Sequence, residues 1–486
     1  MSDMFLSRLV ILFLFFEVAF YPSVLGQVKP NVLMIAVDDL RPALGCYGDQ
    51  TAITPNIDRL AKRGIVLQRA YCQQAVCCPS RLSMLTGLRP DTIRVWDLNT
   101  HFREAKPNAV TLPQYFKNTG YQSRSIGKIL HGGGAPSKDP ESWSSPPMYD
   151  NVRDPKLRYA LQKNLNGKGL KRAASESAEV SDDHYIDGIV ANESIRVLGE
   201  LAVNKNPFFL AVGFRKPHLP FNAPKKYWDL YEKEEIQIPK HGSHPVNSPD
   251  WATRSWSELE GYTDIPVDGK ITKAKARELR HGYYACVSYI DELVGRLIAE
   301  LERLKLEDNT IVLLYGDHGF HLGEQGLWTK ANNYELSTRI PLIVIAPGQP
   351  KGNSHALVEL VDVFPTVCEL AGLAVPSSLE GRSFLPLFKK PNRKWKTAVF
   401  SQYPRSFEGN RHSRHGDVMG YAIRTNKYRF VQWQNWRTKD VVARELYSLI
   451  DDPHEMRNIV NEKGSKLIVA RMNKRLGDGW KAALPK

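Results

Sequence analysis

Short apolar runs alternate with helical patterns along most of the chain, and this alternation predicts an α/β fold. The run at 31–37 (Asn-Val-Leu-Met-Ile-Ala-Val) is almost continuously apolar, as a strand buried on both faces requires. Similar runs lie at 208–214, 310–315 and 340–346, with a weaker one at 121–126. Helical periodicity occurs between them at 55–63, 194–203 and 276–304. We therefore expect a large, mostly parallel central sheet covered by helices.

The C-terminal part of the chain has a different pattern. Segments 421–425 and 428–433 flank Asn426-Lys427 and predict an antiparallel hairpin. A chain of 486 residues is also longer than one core usually supports. We expect a main domain over 27–389 and a smaller C-terminal subdomain over 390–486 with an antiparallel sheet. Two polar stretches of the main domain, 139–180 and 234–272, predict long excursions over its surface.

Acidic and basic side chains follow four of the predicted strands. They are Asp38-Asp39, Lys128 with His131, His218, and Asp317-His318. Each has an ordinary explanation alone, such as a turn cap or a solvated histidine. Ligands of open α/β sheets bind outside the carboxyl ends of the strands, so the joint placement favours a single site. The three aspartates suit Ca²⁺ or Mg²⁺, and the nitrogen of His318 leaves Mn²⁺ open.

The charge and the N-terminal segment bear on partners and location. A net charge of +14 favours anionic partners, but no basic run interleaved with aromatics indicates nucleic acid, and a sulfated polymer would respond to the same field. Arg8 precedes an apolar run at 9–20, and small residues precede Gln27. This pattern predicts a signal peptide over 1–26, too short for a stable membrane anchor, and hence an exported protein.

Six scattered cysteines do not form a disulfide scaffold, although Cys72 lies close enough in sequence to the 77–78 pair to bond with it. The segment 77–87 (Cys-Cys-Pro-Ser-Arg-Leu-Ser-Met-Leu-Thr-Gly) carries the strongest signal. One interpretation is a buried cysteine pair at a helix N-terminus, with Pro79 in the first turn. However, the whole segment resembles the C-x-P-S-R-x-x-x-L-T-G signature of type I sulfatases.

The resemblance implies an alkaline-phosphatase-like α/β sandwich and a sulfuric ester hydrolase. It also implies that a formylglycine-generating enzyme oxidises Cys77 to formylglycine during maturation. A hydrated aldehyde carries two hydroxyls, so one can attack sulfur and the other can expel the sulfate while the aldehyde re-forms. A thiolate would instead leave a stable adduct.

Further segments are similar to the iduronate-2-sulfatase branch of this family. They lie at 37–42, 44–49, 73–77, 89–92, 209–213, 216–218, 401–405 and 419–425. Carried over by position, the resemblance implies one Ca²⁺ held by Asp38, Asp39, Cys77 as formylglycine, Asp317 and His318. It implies catalytic roles for Cys77, Arg81, Lys128, His131, His218 and Lys330.

The implied substrate is the 2-O-sulfate of iduronate, or of a related uronate, in a sulfated glycan. The single N-glycosylation sequon, Asn192-Glu193-Ser194, gives little support for a lysosomal protein, so we expect a periplasmic or secreted one. Cys78 and His321 depart from the branch, which has small residues there, and His321 is expected near the edge of the pocket.

Three questions stay open at the level of sequence. A phosphate or phosphonate ester hydrolase of the same superfamily is one alternative, although the extra ligands of a paired Zn²⁺ site are not evident. A carbohydrate-binding protein in which Cys77 is never converted is another. The third concerns a C-terminal basic cluster, which is either a solvated face or a substrate-facing one. Its members are Arg405, Arg411, His412, Arg414, His415 and Arg424.

Overall fold

The computed structural model describes residues 29–131, 139–150, 153–169, 171–204, 206–254, 258–266, 270–406 and 416–485. The predicted signal peptide lies outside the described residues, as do Arg411, His412, Arg414 and His415 of the basic cluster. None of the helices within the described ranges is long and apolar enough to cross a membrane.

Strands and helices alternate over most of the described chain. The strands are β1 (Asn31–Val37), β2 (Ile65–Tyr71), β3 (Gln122–Gly127), β4 (Ser175–Ala178), β5 (Phe208–Phe214), β6 (Phe221–Pro224), β7 (Thr310–Gly316), β8 (Arg339–Ile340), β9 (Leu342–Ile345), β10 (Gly352–Glu359), β11 (Val399–Arg405), β12 (Val418–Arg424), β13 (Tyr428–Asn435) and β14 (Val441–Ser448). The helices are α1 (Pro55–Ala61), α2 (Cys77–Thr86), α3 (Pro90–Ile93), α4 (Phe102–Ala105), α5 (Leu112–Asn118), α6 (Gln162–Leu165), α7 (Ile186–Ala202), α8 (Lys225–Trp228), α9 (Asp250–Thr253), α10 (Lys273–Arg303), α11 (Glu335–Thr338), α12 (Val363–Leu370), α13 (Leu385–Lys389) and α14 (Lys466–Ala482).

The central sheet has the order β10-β2-β9-β7-β1-β5-β3, with the short β8 beside β2. Strands β7, β1, β5 and β3 are parallel neighbours, and β10 is parallel to β2. Only β8 and β9 run in the opposite direction to the other strands of this sheet in the described chain. The predicted strand at 340–346 is split between them, because Pro341 has no N–H for the ladder. The expectation of a large, mostly parallel sheet is confirmed.

Alternate residues of the central strands enter two separate apolar cores. Leu33 and Ile35 of β1 face the core covered by α1, α7 and α10, whereas Val32 and Met34 face the core covered by α2, α5 and α12. This is the pattern that a strand buried on both faces requires. The sheet is therefore the middle layer of a sandwich, and its strand ends are held rigidly from both sides.

A second sheet, of order β11-β12-β13-β14, is antiparallel throughout. The predicted hairpin is present: the N–H of Thr425 donates to the carbonyl of Tyr428 at 2.8 Å across the turn. Helix α14 packs on one face of this sheet through Met472. The smaller antiparallel sheet is confirmed, while the domain boundary at 389/390 stays a prediction.

Candidate active site

Four neighbouring strand ends deliver the predicted site residues. Because β7, β1, β5 and β3 are adjacent and parallel, their carboxyl ends open on one edge of the sheet. The N–H of Asp38 donates to the carbonyl of Phe214 at 3.1 Å, and that of Asp317 to the carbonyl of Val37 at 3.3 Å. These bonds continue the ladder past the strand ends and fix the directions of both aspartates.

Helix α2 brings Cys77 to the same edge. Cys77 is the first residue of α2, Pro79 lies in its first turn, and Gly87 ends it in the left-handed region at φ 65°. The Cys77 side chain is buried, with Sγ 3.5 Å from Oδ1 of Asp38 and 3.4 Å from Nε2 of His318. Cys78 belongs to the apolar core beneath α2 instead. The two adjacent cysteines therefore have different environments.

The cluster around Cys77 has the donor set of a divalent cation site. Ligand atoms of Asp38, Cys77, Asp317 and His318 all lie within 4.8 Å of one another. Asp39 lies beside them, and its Oδ1 is buried, 3.5 Å from Nε2 of His318, without a hydrogen-bond donor in the described structure. A buried carboxylate oxygen needs a partner, and Ca²⁺ prefers oxygen ligands of this kind. The residues present fit a bound cation.

The guanidinium group of Arg81 connects two carboxylates of this cluster. Its Nε donates to Oδ2 of Asp317 at 2.7 Å and its Nη2 to Oδ1 of Asp38 at 3.1 Å. Its Nη1 donates to the carbonyls of Lys128 and Ile129. Burial alone would raise the pKa of Asp38, but Lys128, His218 and Arg81 hold it well below its ordinary value. Arg81 therefore orients two carboxylates and keeps Asp38 ionised.

Lys128 and His131 lie on the other side of Cys77. The N–H of Lys128 donates to the carbonyl of Gly213. A Cβ added at Gly213 would lie 2.1 Å from the carbonyl oxygen of Lys128, so only glycine allows the two backbone segments to come this close. The Lys128 ammonium contacts Oδ2 of Asp38 and lies 3.5 Å from Sγ of Cys77. Burial and the charge of Lys128 lower the pKa of His131 to about 3. His131 is thus a neutral imidazole, and its Nδ1 lacks a described partner.

Lys330 and His218 share an acidic partner that the sequence did not reveal. Nζ of Lys330 lies 3.0 Å from Oδ2 of Asp39 and 2.7 Å from Oε2 of Glu258. Nε2 of His218 lies 3.1 Å from Oε1 of the same Glu258, whose side chain is 12% exposed. Glu258 belongs to the polar stretch at 234–272, where it is one acid among several and no motif distinguishes it. Its importance follows only from the tertiary contact.

Two members of the basic cluster are buried and bonded within the protein. Arg405 donates to the carbonyls of Ala331 at 2.7 Å and Trp251 at 2.9 Å. Arg424 lies 3.4 Å from Oε2 of Glu335. A solvated face is therefore the wrong interpretation for Arg405 and Arg424, which connect the C-terminal sheet to the main sheet's loops.

His321 lies inside the protein rather than at the edge of a pocket. Its Nε2 lies 2.7 Å from Oε1 of Gln325, and its Nδ1 lies 3.0 Å from the hydroxyl of Ser337. The Ser337 hydroxyl in turn donates to the carbonyl of Lys330 at 2.5 Å. His321 therefore supports the loop that carries Lys330. Cys72 is a free thiol, as are the other five cysteines.

Comparison with known proteins assigns the family. The sequence model of the sulfatase family matches residues 30–373, and one described as N-sulphoglucosamine sulphohydrolase, C-terminal, matches 323–481. Iduronate 2-sulfatase of Mus musculus is 35% identical over 508 residues, covering 89% of this chain and 91% of that protein. A sulfatase of Formosa agariphila is 31% identical and covers 89% of this chain and 83% of that protein. The chain belongs to the sulfatase family and is a sulfatase.

Solved structures confirm the fold. One described as a complex with D-glucosamine-2-N,6-O-disulfate superposes with a TM-score of 0.72 at 22% identity, covering 93% of this chain and 98% of that one. The phosphonate monoester hydrolase of Agrobacterium radiobacter gives a TM-score of 0.76 at 21% identity, covering 93% and 95%. The alkaline-phosphatase-like sandwich expected from the motif is therefore the observed architecture.

Proposed function

We propose that this sulfatase removes the 2-O-sulfate of iduronate, or of a closely related uronate, from a sulfated glycan. The similarity to iduronate 2-sulfatase over nine-tenths of both chains carries this proposal. The buried Cys77 among carboxylates, lysines and histidines supports the chemistry. The reaction uses formylglycine formed from Cys77 and one Ca²⁺ held by Asp38, Asp39, Cys77, Asp317 and His318.

The groups around the nucleophile perform three tasks. The cation, when bound, supplies Lewis-acid polarisation of the sulfate oxygens. Arg81 holds the two carboxylates at their ligating positions through a planar fork of donors. Lys128 and His131 contact the aldehyde hydrate, and the neutral His131 is able to accept a proton.

Lys330 and His218 complete the proposed sulfate site. His218 lies in one cluster with Asp38, Asp39 and Cys77, and Lys330 contacts Asp39. Positive groups at these positions suit the oxygens of a sulfate. His218, as a proton donor, can protonate the sugar oxygen that leaves. Glu258 holds both groups in place through one carboxylate.

Maturation and location follow from the same proposal. The Cys77 side chain is only 2% exposed, so a formylglycine-generating enzyme must reach the 77–87 segment before α2 is packed. Export through the predicted signal peptide at 1–26 would bring the enzyme to polymeric substrates in the periplasm or outside the cell. We assign catalysis to residues 27–389 and the adjoining smaller sheet to 390–486.

A phosphate or phosphonate ester hydrolase is the second candidate, because phosphonate monoester hydrolases share the fold with TM-scores of 0.76 and 0.75. Against it, the candidate ligand groups in the described residues overlap at Asp38 and Cys77 and so define one location for a cation. The sequence similarity to iduronate 2-sulfatase is also higher than to these enzymes.

A substrate panel separates the candidates. We expect kcat/KM to be highest for a disaccharide with a 2-O-sulfated uronate, compared with 6-O-sulfated hexosamine, aryl sulfate and phosphonate esters.

Mass analysis of the Cys77 peptide should show the aldehyde. Cys77→Ala should abolish sulfate release, whereas Cys78→Ala should retain most of it. Preference for an aryl sulfate or a phosphonate ester would refute the proposed substrate, and an active enzyme with an intact Cys77 thiol would refute the chemistry.

A further inference from the structure

A strongly basic groove lies at the seam between the two sheets, and the proposed reaction makes no use of it. It has a volume of about 700 Å³. Its walls are the end of β2, the middle of β10, the segment 391–397, the turn between β12 and β13, and α14. Seven cationic side chains line it, and one of them, Lys396, is paired with buried acids. We call the surface formed by the other six the basic groove: Arg69, Arg393, Lys394, Lys427, Arg471 and Arg475.

The basic groove carries an excess of positive charge. No Asp or Glu lines it, and among the described residues none of its six cations has a carboxylate within ion-pair distance. Arg69 donates to the carbonyl of His355 and, at 3.1 Å, to Oδ1 of Asn426, both neutral acceptors. Arg475 donates to the carbonyl of Thr397 at 3.0 Å. These bonds orient the guanidinium groups without neutralising them.

The acidic side chains near the groove, Glu359 and Asp362, form ion pairs with Lys396. Lys396, at the back of the groove, points inward and binds Glu359 at 2.6 Å and Asp362 at 2.7 Å. Burial and the charge of Arg424 lower the pKa of Arg69, and burial and Arg471 lower that of Arg475. Like charges are therefore crowded around one concave surface, an arrangement that a bound polyanion would relieve.

We propose that the basic groove binds the sulfate and carboxylate groups of a glycan chain at a distance from the residue being desulfated. The inference rests on the proposed function, which supplies a polyanionic substrate. None of the six cations belongs to the cluster around Cys77, so the groove adds affinity for a long chain and leaves the chemistry unchanged. Guanidinium groups suit this task because their donors match sulfate and carboxylate oxygens in pairs.

The aromatic side chains of the groove favour a glycan over single-stranded nucleic acid. Binding of single strands uses exposed aromatic faces on which bases stack. Trp395 is only 8% exposed, and the Arg393 guanidinium lies 5.5 Å from its ring centre. Tyr428 is half-buried against the core beneath α14. The groove therefore offers charge without a free stacking surface.

The test compares a triple variant with wild-type enzyme on long and short ligands. The variant removes three exposed groove cations: Arg393→Gln, Lys427→Gln and Arg471→Gln. The binding probe is a long 2-O-desulfated heparin chain, which keeps the polyanion but lacks the proposed reacting group. We expect its affinity to fall about tenfold or more at low salt, and the slope of log Kd against log salt to decrease by roughly two. Turnover of a 2-O-sulfated disaccharide should not change, because a disaccharide occupies only the active site.

A matched control removes three exposed cations from other surfaces: Lys62→Gln, Lys163→Gln and Lys233→Gln. Equal weakening in both triple variants would mean that overall charge alone attracts the polymer and would overturn the groove assignment. Unchanged affinity in the groove variant would overturn it too, as would tighter binding of single-stranded DNA than of heparin. If wild type binds the chain through the groove but does not cleave the disaccharide, the proposed substrate fails while the groove stands.

Discussion

Arg81→Lys should destabilise the protein strongly although it preserves the charge. In the native structure three guanidinium nitrogens donate to two carboxylates and two carbonyls, and every one of these groups is buried. A single ammonium at the end of a different stem cannot reach all four acceptors. At least two hydrogen bonds to buried groups are lost, each contributing about 1.5–3 kcal/mol where a charge is involved. We therefore expect the free energy of unfolding to fall by about 3–6 kcal/mol.

The assay is urea unfolding followed by tryptophan fluorescence, with and without added Ca²⁺. Arg59→Lys on the exposed face of α1 is the matched control, and its effect should stay within about 0.5 kcal/mol. Added Ca²⁺ should recover part of the loss, because a cation also neutralises Asp38 and Asp317. A loss below about 1 kcal/mol for Arg81→Lys would refute the argument that the fork of donors holds this site together.

Three further predictions concern other residues. Asp317→Asn should remove bound metal and activity together, with kcat/KM falling roughly a thousandfold or more; stoichiometric metal in the variant by elemental analysis would show that Asp317 is not a ligand. Glu258→Gln should lower kcat about tenfold, because Lys330 and His218 lose the carboxylate that fixes their positions; an unchanged kcat would remove Glu258 from the site. Burial raises the pKa of Glu445 from 4.5 to about 7. The native state then holds this proton more tightly than the unfolded state, so stability falls as pH rises from about 4.5 to about 7, by about 3 kcal/mol in total. Glu445→Gln should lack this decline, and parallel stability curves of variant and wild type against pH would contradict the assignment.

The central strands can be predicted from the sequence because their apolar runs are continuous. A strand buried on both faces has few polar positions, so β1, β5 and β7 stand out, whereas β2 and the edge strand β10 carry polar residues and have no continuous apolar run. The sequence does not indicate the direction of β9, since the apolar character of a strand is the same whichever way it runs. Direction depends on pairing with β7 and β2, which lie far away in the chain.

The sequence by itself determined the fold class, the family, and the polar residues that follow the strand ends. It did so because buried parallel strands, a nucleophile motif and residues at strand ends are local properties of the chain. Only the tertiary structure decided that Cys77 and Cys78 have different environments, and that Glu258 holds Lys330. It also decided that the cations of the basic groove meet without acids between them. These outcomes depend on which distant segments pack together, and packing is a property of the whole chain.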